Sequence, residues 1–276
     1  MTVAVVGASS FIGRALQARA DTASWRFLDW RTALAEDAWL DGVDCLINCA
    51  FDPVLKREPY SVARDIDLQL AERLRDYPQI NYLMLSSRMV YGPAAADGRL
   101  HEALSPQPIN LYGAAKWQSE QALRGLLGPR LTVLRLSNVC GYELGGGRQS
   151  FFAMASRSLS EQGRIVLDMS PFIERDFLPV ESLAAWLPRI AAAPRPGLFN
   201  LGAGQGTATG RIAQWLIQGY GEGELLVSNL REHDPFWLDL SATAQAYDIH
   251  GIEAAQLRDY CLALGQRLRL EKDASR

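Results

Sequence analysis

The chain has 276 residues, 48% of them hydrophobic and 21% charged, with 28 Lys and Arg against 31 Asp and Glu for a formal net charge of −3. Such a composition belongs to a globular chain long enough for one large α/β domain with a smaller partner. The slight acidity argues against a nucleic-acid binder, and no apolar run is long enough to span a bilayer.

Met1-Thr2 leads directly into Val3–Val6, which lacks a preceding basic segment and reads as a buried first strand, so a cytoplasmic location is expected. Gly7-Ala8-Ser9-Ser10-Phe11-Ile12-Gly13 follows and opens a helix expected over Gly13–Ala20. In such a turn backbone N–H groups and a helix N-terminus face a pyrophosphate. Gly7 would allow the tight turn and Gly13 the close packing of helix on strand. Ser10 stands where a glycine is usual, and its hydroxyl could itself donate to phosphate.

The second strand, Arg26–Leu28, ends at Asp29. A carboxylate there would bond the adenosine ribose hydroxyls and favour NAD. Arg31 and Arg14 lie close enough in sequence to serve a 2′-phosphate instead, which keeps NADP open, and a solvated turn residue is the plain alternative for Asp29. Further strands are expected at Cys45–Asn48, Tyr82–Leu85, Thr132–Leu136 and Gly197–Leu201, the last after Pro194 and Pro196. Helices are expected over Ala63–Tyr77 and Lys116–Leu126. This alternation predicts a parallel sheet covered on both faces. Beyond about residue 140 the pattern becomes mixed, and Gly145-Gly146-Gly147 reads as a mobile loop. The division expected is a dinucleotide-binding core over 1–140, with 175–200 returning to it, and a discontinuous substrate lobe over most of 141–276.

The four cysteines (Cys45, Cys49, Cys140, Cys261) lack zinc-type spacing and read as reduced core residues. Three scattered histidines (His101, His233, His250) argue against a metal site. Tyr112 and Lys116, in contrast, are spaced for chemistry. Four residues apart on a helix, they share one face, and a nearby ammonium stabilises a phenolate, so proton exchange near neutral pH is expected. Ser86-Ser87 closes an apolar strand between the glycine turn and this pair.

With these residues the chain resembles the extended short-chain dehydrogenase/reductase family, the NAD-dependent epimerase/dehydratase group. Gly7–Gly13 is similar to its glycine turn and Leu46-Ile47-Asn48-Cys49-Ala50 to its cofactor-wall strand, which makes Cys49 and Ala50 cofactor neighbours. Ser86–Gly92 resembles the active-site serine strand, with Ser87 at the catalytic position, and Tyr112–Lys116 matches the Tyr-x-x-x-Lys pair, with Glu120 at a commonly acidic position. Leu134–Gly141 resembles the segment that carries a substrate-side asparagine, here Asn138. Glu174–Val180 resembles a strand whose arginine, Arg175, grips a nucleotide diphosphate. Arg231–Asp239 resembles a second such segment, with Arg231 on the diphosphate and Asp234 on the nucleoside ribose.

The resemblance implies a Rossmann-like doubly wound α/β fold with a smaller mixed C-terminal lobe, a bound NAD or NADP, and a nucleotide-activated sugar as substrate. It also implies a homodimer. The activity implied is epimerisation through transient oxidation, usually at C4, with Ser87, Tyr112 and Lys116 as the catalytic set. The alternatives are a 4-ketosugar reductase and a regulator that binds NAD(P) without turnover. Two departures stand out. The span between Asp29 and Cys45 is too short for the usual third strand, and Arg88-Met89 replaces the Asp-Glu pair that sugar 4,6-dehydratases place after the serine, so dehydration is not expected.

Overall fold

The computed structural model describes residues 1–143 and 149–274; the Gly145–Gly147 run lies outside them. Six parallel strands form the central sheet. In chain order they are β1 (Val3–Val6), β2 (Arg26–Leu28), β3 (Cys45–Asn48), β4 (Asn81–Ser87), β6 (Leu131–Leu136) and β11 (Gly197–Leu201). Their spatial order is β11-β6-β4-β3-β1-β2. The late strand β11 thus returns to the sheet beside β6, in the register Gly197–Leu201 against Thr132–Leu136.

Side chains alternate between two cores, as a pleated strand requires. Val3, Val5, Cys45, Ile47, Leu83, Leu85, Leu134 and Leu136 face one of them. Ala4, Val6, Leu46, Tyr82, Met84, Leu131 and Val133 face the other. The second core is closed by α2 (Trp30–Ala35), α3 (Ile66–Arg73) and α4 (Leu111–Leu127) through Ala33, Leu70, Leu123 and Leu127. The first is closed by α1 (Phe11–Gln17) and α6 (Val180–Ala192). It continues without a break into α5 (Phe151–Gln162), α7 (Thr209–Tyr220) and α9 (Ala254–Ala274).

Four two-stranded ribbons decorate the sheet's rim. They pair β7 (Asn138–Cys140) with β10 (Phe177–Pro179), β8 (Arg164–Leu167) with β13 (Glu224–Val227), β9 (Glu174–Arg175) with β12 (Thr207–Ala208), and β5 (Arg99–Leu100) with β14 (Trp237–Leu238). The short helix α8 (Ser241–Tyr247) packs on β11. No described helix is long and apolar enough to cross a membrane.

Several boundaries differ from the sequence expectation, and caps explain them. Asn110 accepts a bond from Gly113 N–H at 2.8 Å, so α4 starts at Leu111 and carries Tyr112 and Lys116 together. The helix expected over Ala63–Tyr77 is broken at Asp65, whose extended backbone and bond from Leu68 N–H start α3 afresh. Asp29 to Cys45 holds only α2 and one 3₁₀ turn, which leaves β2 at the sheet edge. The region beyond residue 140 is richer in long helices than its mixed composition suggested; α9 alone has 21 residues.

Candidate active site

A cavity of about 660 Å³ opens at the carboxyl ends of the central strands, where β1, β3, β4 and β6 give way to loops. Open parallel sheets place ligands in this crevice. Gly7, Ser9, Ser10, Phe11 and Ile12 line one end, and Cys49 and Ala50 stand beside them.

Gly7 has φ +89°, and a Cβ there would lie 2.7 Å from Ala50 N. A Cβ on Gly13 would meet Gly7 O at 2.3 Å. Both glycines are therefore required by the backbone, and the cradle they form is shaped for a group approaching the main chain. The Ser10 hydroxyl accepts from Gly13 N–H at 3.0 Å and caps α1, so it acts inside the turn. Asp29 is likewise an N-cap: it is exposed and accepts from Arg31 N–H at 2.9 Å. Neither Asp29 nor Arg31 is among the cavity's lining residues, while Trp30 and Arg14 are, and the Arg31 guanidinium stacks 4.5 Å from the Trp30 ring centre.

Ser87 and Tyr112 line the middle of the cavity. Ser87 ends β4 and its hydroxyl accepts from Met89 N–H at 3.2 Å, which turns the chain away and leaves the side chain at the wall. Lys116 does not line the cavity. Its ammonium is buried and donates to Asp67 Oδ2 at 3.0 Å, 5.0 Å from the ring centre of Phe51. Phe51 in turn meets Tyr112 edge-on at 5.1 Å. Burial works against the ammonium, but Asp67 and the Tyr112 phenol outweigh it and hold the Lys116 pKa above its ordinary value.

Arg175 and Asn138 line the far end. Within the run Arg175-Asp176-Phe177 the three side chains separate by role. Arg175 faces the cavity and donates to His233 O at 3.2 Å, while its buried Nε has no partner. Asp176 points inward and accepts from Ala203, Gly204 and Leu238 N–H groups at 2.7, 3.1 and 3.1 Å. Phe177 packs in the core. Burial, with the neighbouring Arg88 charge, lowers the Arg175 pKa despite Asp234. An anion reaching this guanidinium would relieve that cost.

Arg231 and Asp234 are not among the cavity's lining residues. Asp234 is held by Arg88 through a two-bond ion pair, one bond at 2.8 Å, and the Arg88 guanidinium stacks 3.9 Å from the Phe236 ring centre. The segment expected to reach the substrate is therefore fastened to the residue that follows Ser87. The Arg231 backbone N–H is taken by Asn229 Oδ1 at 2.8 Å.

Residues 3–202 match the model of the NAD dependent epimerase/dehydratase family. The chain belongs to this family. Among curated proteins it is 32% identical over 179 residues to a dTDP-L-rhamnose 4-epimerase of Burkholderia thailandensis, covering 51% of this chain and 49% of that one. It is 29% identical over 199 residues to an ADP-L-glycero-D-manno-heptose-6-epimerase of Alkalilimnicola ehrlichii, covering 64% and 58%. The chain thus spans about half the length of the curated relatives it matches. Among solved structures, RMD of Pseudomonas aeruginosa complexed with NADPH superposes with TM-score 0.81 at 23% identity, over 98% of this chain and 99% of that one. UDP-glucuronic acid 4-epimerase of Bacillus cereus, in complex with UDP-glucuronic acid and NAD, superposes with TM-score 0.79 at 18% identity, over 98% and 100%. At these identities the superpositions establish the fold.

Phe51, Phe151, Phe152 and Trp237 are aromatic side chains expected from the sequence to bear on pocket size but with no position assigned. In this family member the first three line the cavity, whereas Trp237 stands apart and donates its indole N–H to Asp97 O at 3.1 Å. Met89 and Glu143 line the cavity as well, roles the sequence did not assign. None of these carries a local motif; they converge only once β3, β4 and α5 are assembled. Cys49 also lines the cavity, but burial and the Asp67 charge push its thiol up to about 12, which removes it as a nucleophile near neutral pH.

Proposed function

We propose that this family member is an NAD(P)-dependent nucleotide-sugar epimerase that works by transient oxidation at a sugar carbon, C4 in the preferred reading. The observation that carries it is one continuous cavity holding the glycine turn at one end, Ser87 and Tyr112 in the middle and the partly unpartnered Arg175 at the other. The turn fits a dinucleotide pyrophosphate, because Gly7 and Gly13 permit a turn that a side chain at either position would block, and that turn brings the N-terminus of α1 to the cavity wall. Gly7, Ser9, Ser10, Phe11, Ile12, Gly13, Cys49 and Ala50 would hold that cofactor, with Asp29 and Arg31 near its adenosine end. When bound, a nicotinamide supplies the hydride acceptor and donor.

The chain's own groups handle the proton and the orientation. Tyr112 takes the proton of the sugar hydroxyl and returns it, Ser87 bonds the same oxygen, and the Lys116 charge favours the phenolate. Arg175 holds the diphosphate by a planar fork, and Asn138 faces the substrate from β7. Arg231 and Asp234 would join only if their segment rearranges, because Asp234 is paired with Arg88. Residues 1–140 with the returning strand serve as the cofactor half, and most of 141–276 as the substrate half. Two copies are proposed to pair through the outward face of α4.

A nucleoside-diphosphate 4-ketosugar reductase is the second reading. It is favoured by the shortened span after Asp29 and by the capping bond that occupies that carboxylate, which weaken the case for tightly held NAD. A regulator without turnover is disfavoured, since Ser87 and Tyr112 both stand at the cavity wall.

Denaturing extraction of purified protein, with assay of the released nicotinamide, separates these readings. Retained NAD, together with loss of UDP-hexose epimerisation by about 10²–10⁴-fold in Tyr112→Phe, is expected for the epimerase. Protein that releases none but is stabilised by added NADH or NADPH identifies the reductase. Protein that is indifferent to all of them overturns both.

A further inference from the structure

Behind the cavity wall Lys116 joins a buried polar cluster whose other members the proposed chemistry does not use. Asp67, on α3, is 3% exposed and stands at its centre. One carboxylate oxygen accepts from Asn48 Nδ2 at 2.7 Å and from the Tyr82 hydroxyl at 2.9 Å. The other accepts from Lys116 Nζ at 3.0 Å. Asp67 is thus anchored from β3 and β4 before it meets the lysine on α4. The nearby carboxylate of Asp65 accepts from the Tyr60 and Ser119 hydroxyls, each at 2.7 Å.

We infer that Asp67 is a positioning residue for Lys116: anchored by Asn48 and Tyr82, it sets where the ammonium stands and how much of its charge reaches Tyr112. This rests on the reading of Tyr112 and Lys116 given above. A buried ammonium with no counter-ion holds its proton less tightly. With Asp67 in place it stays charged and fixed, one turn from Tyr112, while the opposing carboxylate cancels part of its field. The titratable groups whose charges act with Lys116 are Asp67 of α3, Asp65 at its N-cap, Tyr112 on the same helix and Cys49 after β3, while Tyr82 and Tyr60 bond the two carboxylates. Lys56 adds a charge 5.3 Å from the Tyr112 ring centre. Only Asp67 bonds the ammonium directly among the described residues.

The chain contains three lysines, Lys56, Lys116 and Lys272, so Cε-labelled lysine gives a spectrum of three titrating signals in cofactor-free protein. The buried one is assigned by its loss in Lys116→Met. In Asp67→Asn the Lys116 signal is expected to titrate at lower pH by about one unit or more, with Lys56 and Lys272 as unmoved controls. An unmoved Lys116 signal overturns the inference. The acidic limb of the pH–rate profile is expected to move to lower pH in the same variant, because the ammonium's charge is then unopposed; a uniform loss of rate with an unmoved limb overturns it. Should Asp67→Asn alone not fold, the comparison is made in the Lys116→Met background, where no unpaired buried ammonium remains. There the Kd for NAD is expected to change by no more than about twofold when Asp67 is also replaced, and a tenfold or greater further loss overturns the inference. Wild-type protein that holds no nicotinamide cofactor would remove the epimerase reading but leave the lysine titration intact, so the two failures are distinguishable.

Discussion

Glu120 of α4 and Arg135 of β6 are 0% and 1% exposed and meet through two bonds, at 3.0 and 2.7 Å, with the Ser86 hydroxyl also donating to Glu120. A pair this dry gains little net stability over an apolar one, but it leaves α4 a single seating on the sheet. Asp239 is a second buried carboxylate, 6% exposed, whose partner Arg99 lies at the surface. Burial works against its charge, but the Ser241 N–H and hydroxyl and the Arg99 guanidinium hold it down at about 2. Its folded pKa lies below its ordinary 3.8, so it binds its proton less readily in the folded chain. The stability it contributes is present above that value and is lost as pH falls toward about 2. Urea midpoints measured from pH 5 downward are therefore expected to fall more steeply in the wild type than in Asp239→Asn. Parallel slopes would show that Asp239 is not the group responsible.

At the scale of elements, the tightest joint is between α7 and α9. A Cβ on Gly265 would lie 2.3 Å from Leu216 O, and one on Gly219 would lie 2.1 Å from Leu262 O. Backbone cannot yield as a side chain can. Replacing a helical glycine by alanine gains about 1 kcal/mol in propensity, but overpacking of this kind costs about 1–3 kcal/mol. Gly265→Ala is therefore expected to lower the urea midpoint without changing the slope. Gly125, on α4, has nothing within 4 Å of its would-be Cβ. Gly125→Ala is expected to raise the midpoint, by up to about 1 kcal/mol of stability. If both substitutions stabilise, the helices are not in contact as described.

For the whole molecule, the open question is the number of copies. The apolar stripe of α4 divides in the fold: Leu123 and Leu127 are core and Leu126 packs against them, while Trp117 remains half-buried and available to a partner. Light scattering is expected to give twice the mass of one chain, and the mass of a single chain would reject pairing through this face. The first of the two cores, which runs from β1 through α6 to α9, also bears on the two proposed halves. Its continuity ties the late helices to the sheet, so the substrate half is expected to unfold with the cofactor half.

The strands and the glycine turn were legible because their causes are local. Short apolar runs identified all six strands of the sheet, and the positive φ of Gly7 and the contact of Gly13 with Gly7 O both arise within the turn. The Tyr112–Lys116 spacing likewise placed both residues on one helix. The partners of these residues were settled by tertiary structure alone. Asp67 lies 49 positions from Lys116, and Asp234 lies 146 from Arg88, distances over which no periodicity or spacing carries information. A side chain that ends a strand or starts a helix is aimed by its neighbours in sequence. A buried charge, by contrast, takes whichever counter-charge the packed fold delivers, because leaving it unpaired costs several kcal/mol.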